Sequence, residues 1–498
     1  MGTRTGWRTA VSAVAIAAVT GTGPAAIAAP VPAPAAPAPT PATITIDRAN
    51  PAGKLPADFI GLSYEMRELS MGSFDASRGN LVQIFKTLGR NGSNIRISGN
   101  TLDRDTLWVP AGEQPPQPLP EWVANTVSPS DIRRLNSFLV KTGWKSEIGI
   151  NLGRWDARLG ADQSRSMFSI LGPRLAAVEC GNEPDQWVLR GYRPAGYAYA
   201  DYLRDWRTCA DAVGNNRIAG PDAASPTTSW AASLARDERA RLNMLMIHAY
   251  SMDAAGTTAK LLSPATVTSQ LNAVTPNLTA AKAQNLPLRI DETNSAFGGG
   301  VEGVSDTYGS ALWSLDYTLQ MAQAGVSGVN LHGGLGVCGA PLFNGRFQRY
   351  TPICAANTAD EQAKIYKARP EFYGIYLASR MGPGTFLPLT LSTDRNVRAY
   401  AVSGNDGRIR IAVIQKEAPG GAPVRLTMNV GGSNRNAEIL RLTGSSLTSD
   451  DTAIQGATLN RKGQLNPGRP NTAKVRGGNV TVEVPSGTAA LITLDRDC

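Results

Sequence analysis

The stretch Val178-Glu179-Cys180-Gly181-Asn182-Glu183-Pro184-Asp185-Gln186-Trp187 decides how this chain is read. Apolar residues and a cysteine run into Gly181, as at the end of a short strand. Pro184 has no N–H to give a ladder, so the strand cannot continue into a sheet interior. Asn182 and Glu183 therefore stand at a strand's C-terminal end, where the chain turns. Asn, Glu and Pro are also ordinary turn material, so the flanking sequence must decide what the segment is for.

Outward from it runs a regular beat of apolar strand and amphipathic helix. Strands are predicted at Phe59 to Tyr64, Asn94 to Ser98, Glu147 to Asn151, the segment ending at Glu183, Arg217 to Gly220, Leu245 to Tyr250, Leu286 to Glu292 and Gly328 to His332. Helices fall between them, for example Ser130 to Lys141, with Ile132, Leu135, Phe138 and Leu139 at helical spacing. Eight strands alternating with helices over residues 58–380 predict an α/β fold, a (β/α)₈ TIM barrel. Glu183 then closes the fourth strand.

The pattern changes after Arg380. Phe386 to Leu391, Asn396 to Val402, Arg408 to Gln415, Val424 to Val430, Ala437 to Leu442, Asn479 to Val484 and Thr488 to Leu494 read as strands separated by turn residues. Residues 381–498 are thus expected to form an all-β sandwich, completed by a strand within residues 43–57.

Ahead of that strand the chain reads as an export signal. Arg4 and Arg8 precede a short apolar core, and Ala26-Ile27-Ala28 offers a cleavage site, so residues 1–29 are expected to be removed and the protein secreted. Residues 30–42, mostly Pro and Ala, read as a stiff linker. No later apolar run reaches membrane-spanning length, so no membrane association is expected after removal of the signal.

The 498 residues carry a formal charge of +9, or +7 without Arg4 and Arg8. The basic residues are scattered, which argues against a nucleic-acid partner. With two histidines and no Cys-x-x-Cys, a zinc site is not expected, and no other cofactor is called for. Cys338 and Cys354 flank one loop that a disulfide could staple. Cys180 and Cys209 are a second bridge or two buried thiols. Cys498 makes the count odd.

The seventh strand, Leu288-Arg289-Ile290-Asp291-Glu292-Thr293-Asn294, also ends on a carboxylate. Parallel barrel strands deliver their C-terminal ends to one rim, so Glu183 and Glu292 should share a pocket. Two carboxylates across an acetal are the equipment of glycoside hydrolysis, and this strand placement points to the short separation of about 5–5.5 Å that retaining enzymes use.

Asn182-Glu183-Pro184 with Glu292 resembles the large clan of retaining barrel glycosidases. Arg96-Ile97-Ser98-Gly99-Asn100-Thr101-Leu102-Asp103, Gly181 to Asp185, Asp291 to Asn294 and Asn330-Leu331-His332-Gly333-Gly334 resemble glycoside hydrolase family seventy-nine, which holds β-glucuronidases and heparanase-type enzymes. The resemblance implies a secreted exo-acting β-glucuronidase with a carbohydrate or glycoside substrate. It implies Glu183 as acid/base and Glu292 as nucleophile. Asn182 would hold the sugar 2-hydroxyl, Tyr250 would hydrogen-bond the nucleophile, and Arg96 would keep it ionised. Asp103 would bind sugar hydroxyls unless it caps a helix, and Glu65 would touch the distal hydroxyls. His248 and His332 read as barrel histidines.

One segment departs from the family. Where its β-glucuronidases carry Tyr-Ser-Gly to hold the substrate carboxylate, this chain has Phe297-Gly298-Gly299. Two side-chain donors are lost, while the glycine N–H groups are able to form an anion nest. A β-glucosidase-type specificity, a heparanase-like endo action and a non-catalytic carbohydrate-binding role are the alternatives.

Overall fold

The computed structural model describes residues 37–89, 93–214, 217–341, 348–432 and 435–496. The expected signal segment, most of the linker and Cys498 lie outside these residues. Eight parallel strands close a barrel in chain order: β1 (Ile60–Glu65), β2 (Asn94–Ser98), β3 (Lys145–Ile150), β4 (Leu175–Cys180), β5 (Ile218–Ala223), β6 (Leu242–His248), β7 (Leu288–Thr293) and β8 (Gly328–His332), with β8 pairing back onto β1. Every residue of β1, β2, β5, β7 and β8 is buried. That is the signature of parallel strands covered by helices on one side and filled by side chains on the other. The helix Pro129–Thr142 shows how locally the sequence enforces this. Ser128 and Asp131 form a capping box, Pro129 opens the first turn, and Gly143 ends it at φ 80°.

The β domain is two facing sheets. Leu389–Ser392, Thr40–Ile46, Val424–Asn429 and Asn479–Val484 form one. The other runs Lys54–Leu55, Gly384–Leu387, Val397–Gly404, Ile409–Gln415, Thr488–Leu494, Asn436–Thr443 and Ala453–Ile454, with Asn471–Lys474 also on Asn436–Thr443. Two expectations change here. The first strand begins at Thr40, so residues 40–42 are strand and not linker. Pro41 is tolerated because it lies where this strand pairs only with Val424–Asn429, and pairing with Leu389–Ser392 begins at Thr43. The single strand expected over Phe386 to Leu391 is broken at Pro388 into Gly384–Leu387 and Leu389–Ser392, which belong to different sheets.

Alternation along Ile409–Gln415 explains how the domains join. Ile411 and Val413 enter the sandwich core, while Ala412 and Ile414 join the core of the barrel. At this junction Asp316, on the helix Tyr308–Ala324, meets Lys416 Nζ at 2.7 Å and accepts from the Tyr400 hydroxyl. Both charged side chains are almost wholly buried. Cys180–Cys209 and Cys338–Cys354 are both disulfides, so the first pair, left open by the sequence, is a bridge. It ties the end of β4 to the helix Tyr199–Val213.

Removing one half of the junction pair leaves a buried charge alone. Asp316→Ala should lower the stability by about 3 kcal/mol in urea unfolding, whereas Asp316→Leu combined with Lys416→Met should recover most of it.

Candidate active site

The turn after β4 is tightly determined. Gly181 takes φ 81°, and a Cβ there would come within 2.6 Å of the Trp187 ring. Glu183 is held in the left-handed region at φ 51°, a costly conformation for a side chain of its size. Its N–H donates to the Asp222 carbonyl of β5 at 3.0 Å. The Trp187 indole N–H donates to the Asn182 carbonyl at 2.9 Å. The turn therefore aims Asn182 and Glu183 at the barrel mouth.

Opposite, β7 contains a slip in its pairing with β6. Ile247 faces Ile290 but His248 faces Glu292, which leaves Asp291 as the extra residue. Two successive carboxylates thereby reach one guanidinium. Arg96 of β2, with no exposed surface, meets Glu292 at 2.6 Å, Asp291 at 3.0 Å and Glu179 of β4 at 3.0 Å, and donates to the Asn182 side-chain oxygen at 2.9 Å. The Tyr250 hydroxyl donates to the other oxygen of Glu292 at 2.7 Å. Tyr350 hydrogen-bonds Tyr250 in turn.

Glu183 has its own cationic partners. His248 Nδ1 lies 2.9 Å from Oε1, and Arg190 pairs with Oε2. His248 Nε2 faces Asp291 at 3.4 Å. One oxygen of Glu183, one of Glu292 and a ring nitrogen of His248 all lie within 4.8 Å of one another. These atoms could converge on a cation, but Arg96, Arg190 and His248 already supply the positive charge.

The ionisation states follow. Burial pushes the Glu292 carboxyl up, but His332, His248, Arg96 and Tyr250 outweigh it and hold the group well below the carboxylate range. Burial likewise opposes the charge on Glu183, yet Arg190 and His248 bring it down. Asp291 is lowered too, since Arg96 and His248 outweigh its burial. Glu179 is driven up to about 8 by burial and by the charges of Asp291 and Glu147, and Asp222 is raised by burial and by Glu179 and Asp291. Burial disfavours a charged His248, but Glu292, Asp291 and Glu183 lift it to about 10. At neutral pH the cations Arg96, Arg190 and His248 thus face the anions Glu183, Asp291 and Glu292, Glu179 is mostly neutral, and Asp222 is shifted in the same direction.

Glu65 and Asp103 are buried beside this centre. Glu65 accepts from the Thr101 N–H at 2.7 Å and its hydroxyl at 2.8 Å. Asp103 accepts three backbone N–H groups, from Leu152, Gly153 and Asn182, at 2.9, 2.8 and 2.6 Å. It lies inside the helix Asn100–Asp105, not at its cap, and ties the tips of β3 and β4 together. Phe297, Gly298 and Gly299 form the rim loop after β7. Phe297 is 53% exposed. Gly298, Gly299 and Gly300 take φ 76°, 103° and 86°. The loop borders the pocket through Tyr350, which would lie 3.0 Å from a Cβ on Gly300.

Sequence reasoning missed His248, Arg190, Asp291, Glu179, Asp222 and Tyr350. The His248-Ala249-Tyr250 spacing was a usable signal, because alternate residues at a strand tip share a side. Arg190 and Tyr350 sit on loops with no periodicity.

The chain has only two histidines, so ring-nitrogen NMR can read His248 directly. One imidazole should stay protonated well above neutrality, near pH 10, and vanish in His248→Gln. The folded pKa is the higher one, so the stabilisation is complete below about pH 6.5 and lost as pH rises through about 10. The stability gap between wild type and His248→Gln should shrink over that window.

A model of the glycosyl hydrolase family 79 C-terminal beta domain matches residues 399–491. A β-glucuronidase of Neurospora crassa is 23% identical over 444 residues, covering 75% of each chain. A β-glucuronidase of Aspergillus niger is 24% identical over 314 residues, 56% of this chain and 55% of that one. The chain thus spans about half the length of the second relative. Among solved structures, a 4-O-alpha-L-rhamnosyl-beta-D-glucuronidase from Fusarium oxysporum superposes with a TM-score of 0.73 at 22% identity, covering 91% of this chain and all of that one. A GH51 arabinofuranosidase from Xanthomonas axonopodis gives 0.67 at 15% identity, with the same coverage. Residues 399–491 thus resemble the C-terminal beta domain of glycosyl hydrolase family 79, and the fold as a whole is shared with solved glycosidases.

Proposed function

We propose that this chain is an exported retaining exo-β-glycosidase acting on β-glucuronides. The observation that carries the reading is the approach of Glu183 and Glu292, with one oxygen of each within 4.8 Å across the barrel mouth. That separation is too short to seat an attacking water between the second carboxylate and the sugar, and suits double displacement. Both curated relatives are named β-glucuronidase, which supports the sugar. The two disulfides favour an oxidising compartment, in keeping with the leader-like start.

In the first half-reaction a carboxylate oxygen of Glu292 attacks the anomeric carbon. Glu183, ionised in the free site, takes up a proton from solvent once substrate is bound, and the bond to the leaving oxygen breaks as that oxygen takes this proton. In the second, Glu183 takes a proton from water, the water oxygen attacks the same carbon, and Glu292 is released. One water is consumed, and both carboxyls return to their starting states as Glu183 gives that proton back to solvent. Arg96 and the Tyr250 hydroxyl hold Glu292 ionised and oriented. Asn182, its side-chain oxygen fixed by Arg96, offers its NH₂ to the sugar 2-hydroxyl, a contact that tightens in the transition state. Glu65 and Asp103 set the floor around it.

For the uronate carboxylate the rim loop offers backbone, not side chains. Among the described residues none accepts a hydrogen bond from the N–H groups of Gly298, Gly299 or Gly300. Three glycines with positive φ beside Tyr350 suit an anion-binding nest. The β-glucoside reading rests on one observation: Phe297 supplies no hydroxyl and is exposed.

Glu292→Gly should lose hydrolysis by about 10⁴-fold or more. Added azide should then restore release of an aryl leaving group, giving the inverted glycosyl azide. Activity persisting in that variant without azide would remove Glu292 from the role. In wild type, kcat/KM for 4-nitrophenyl β-glucuronide should exceed that for the β-glucoside. The reverse order would replace the uronic-acid reading with the glucoside one.

A further inference from the structure

We infer that Arg190 is a displaceable counter-ion for Glu183: an anionic group on the departing half of the substrate draws the guanidinium away, freeing Glu183 Oε2 to take up and deliver a proton. The inference rests on the reading of Glu183 as acid/base and deepens it.

A general acid must turn an O–H toward the leaving oxygen. Each oxygen of Glu183 faces a cation, and a proton set against that positive charge is disfavoured. His248 occupies Oε1 and Arg190 occupies Oε2. One of them must yield. His248 is wholly buried on β6 and is held from behind by Asp291. Arg190 sits on the surface loop after Trp187, its side chain 26% exposed, between Leu189, which is 84% exposed, and Gly191 at φ 73°. Arg190 is the partner that moves.

Pulling a guanidinium off a carboxylate with nothing in exchange is costly. A carboxylate or sulfate on the leaving group supplies the exchange. The same rim is prepared for such a group. Tyr192, two residues beyond Arg190, lies under the Arg154 guanidinium at 5.5 Å, and Arg154 also covers Trp122 at 5.9 Å. Among the described residues Arg154 has no carboxylate in ion-pair reach. The departing half extends past Glu183, so it meets an aromatic platform carrying an unneutralised cation.

The device also serves the second step. When the leaving group departs, its anion goes with it and Arg190 returns to Glu183. The carboxylate form is then the stable one, which is the form needed to take a proton from water. The other groups facing Glu183 keep their places through the cycle: His248 from β6, Glu292 from β7, Tyr350 from the loop after β8 and the Asp222 carbonyl from β5.

The test uses two aryl β-glucuronides of matched leaving-group acidity, one carrying a sulfonate and one a neutral sulfonamide, plus the matching β-glucosides. kcat/KM is measured against pH for wild type, Arg190→Lys and Arg190→Leu, with thermal unfolding to establish that each variant is folded. Wild type should prefer the sulfonate roughly tenfold or more. Arg190→Lys should keep part of that preference and Arg190→Leu should lose it. With the neutral substrate, the basic limb should move to higher pH in Arg190→Leu, because Glu183 without its cation keeps its proton longer. No sulfonate preference in wild type, a preference that survives in folded Arg190→Leu, or an unmoved basic limb would each overturn the inference. If only the glucosides are cleaved and the sulfonate preference behaves as expected, Arg190 keeps this role and the sugar reading falls. If no glycoside is cleaved, both fall.

Discussion

The buried guanidinium of Arg96 is the constraint on which the rest depends. A cation with no solvent access is tolerable only if several anionic or polar partners surround it, and the barrel supplies them from three strands. Glu179 comes from β4, Asp291 and Glu292 from β7, and the Ser63 hydroxyl from β1 lies at 3.4 Å. The bulge in β7 exists in the service of that geometry, since without the extra residue Asp291 and Glu292 would point to opposite faces. In return Arg96 orders Asn182 and keeps a buried carboxylate charged. Electrostatics and chain geometry are one problem here, solved once.

The same bookkeeping explains the division of labour among eight acidic and basic groups in one small volume. Five carboxyls cannot all ionise around two buried cations. Burial and neighbouring carboxylates push Glu179 and Asp222 toward the protonated form, while Asp291 and Glu292, which face His248 as well as Arg96, are held ionised. Glu183 depends on Arg190, the most exposed member of the cluster, so its ionisation is the easiest for a ligand to change.

What the sequence made legible follows from how each feature is encoded. The eight barrel strands were readable because period and burial act locally, and Glu183 and Glu292 were readable because both close strands that share a rim. The break at Pro388 was hidden inside a run of strand-forming residues; only the lack of an N–H marked it. Thr40 to Ala42 looked like linker because Pro and Ala dominate, but partners almost four hundred residues away make them strand. His248 looked structural, since nothing nearby in sequence announces that Glu183 and Asp291 will flank it. Arg190 was silent for the same reason: its task exists only once the loop has folded back.

The first strand of the β domain carries a consequence for how the protein comes to exist. Thr40–Ile46 leaves the ribosome before any of the barrel, yet its partners Leu389–Ser392 and Val424–Asn429 emerge about 350 to 380 residues later. At ordinary synthesis rates of about 5–20 residues per second, that is a wait of roughly 20 to 80 seconds. For that interval the strand is an orphan edge with alternating apolar residues, the kind of segment that seeks unintended partners. Pro41, at its single-neighbour end, limits how far another chain can extend pairing along it. The barrel is an insertion within a sandwich that closes last, so the β domain acts as a checkpoint: a chain cut short before residue 389 leaves its own beginning without either strand partner.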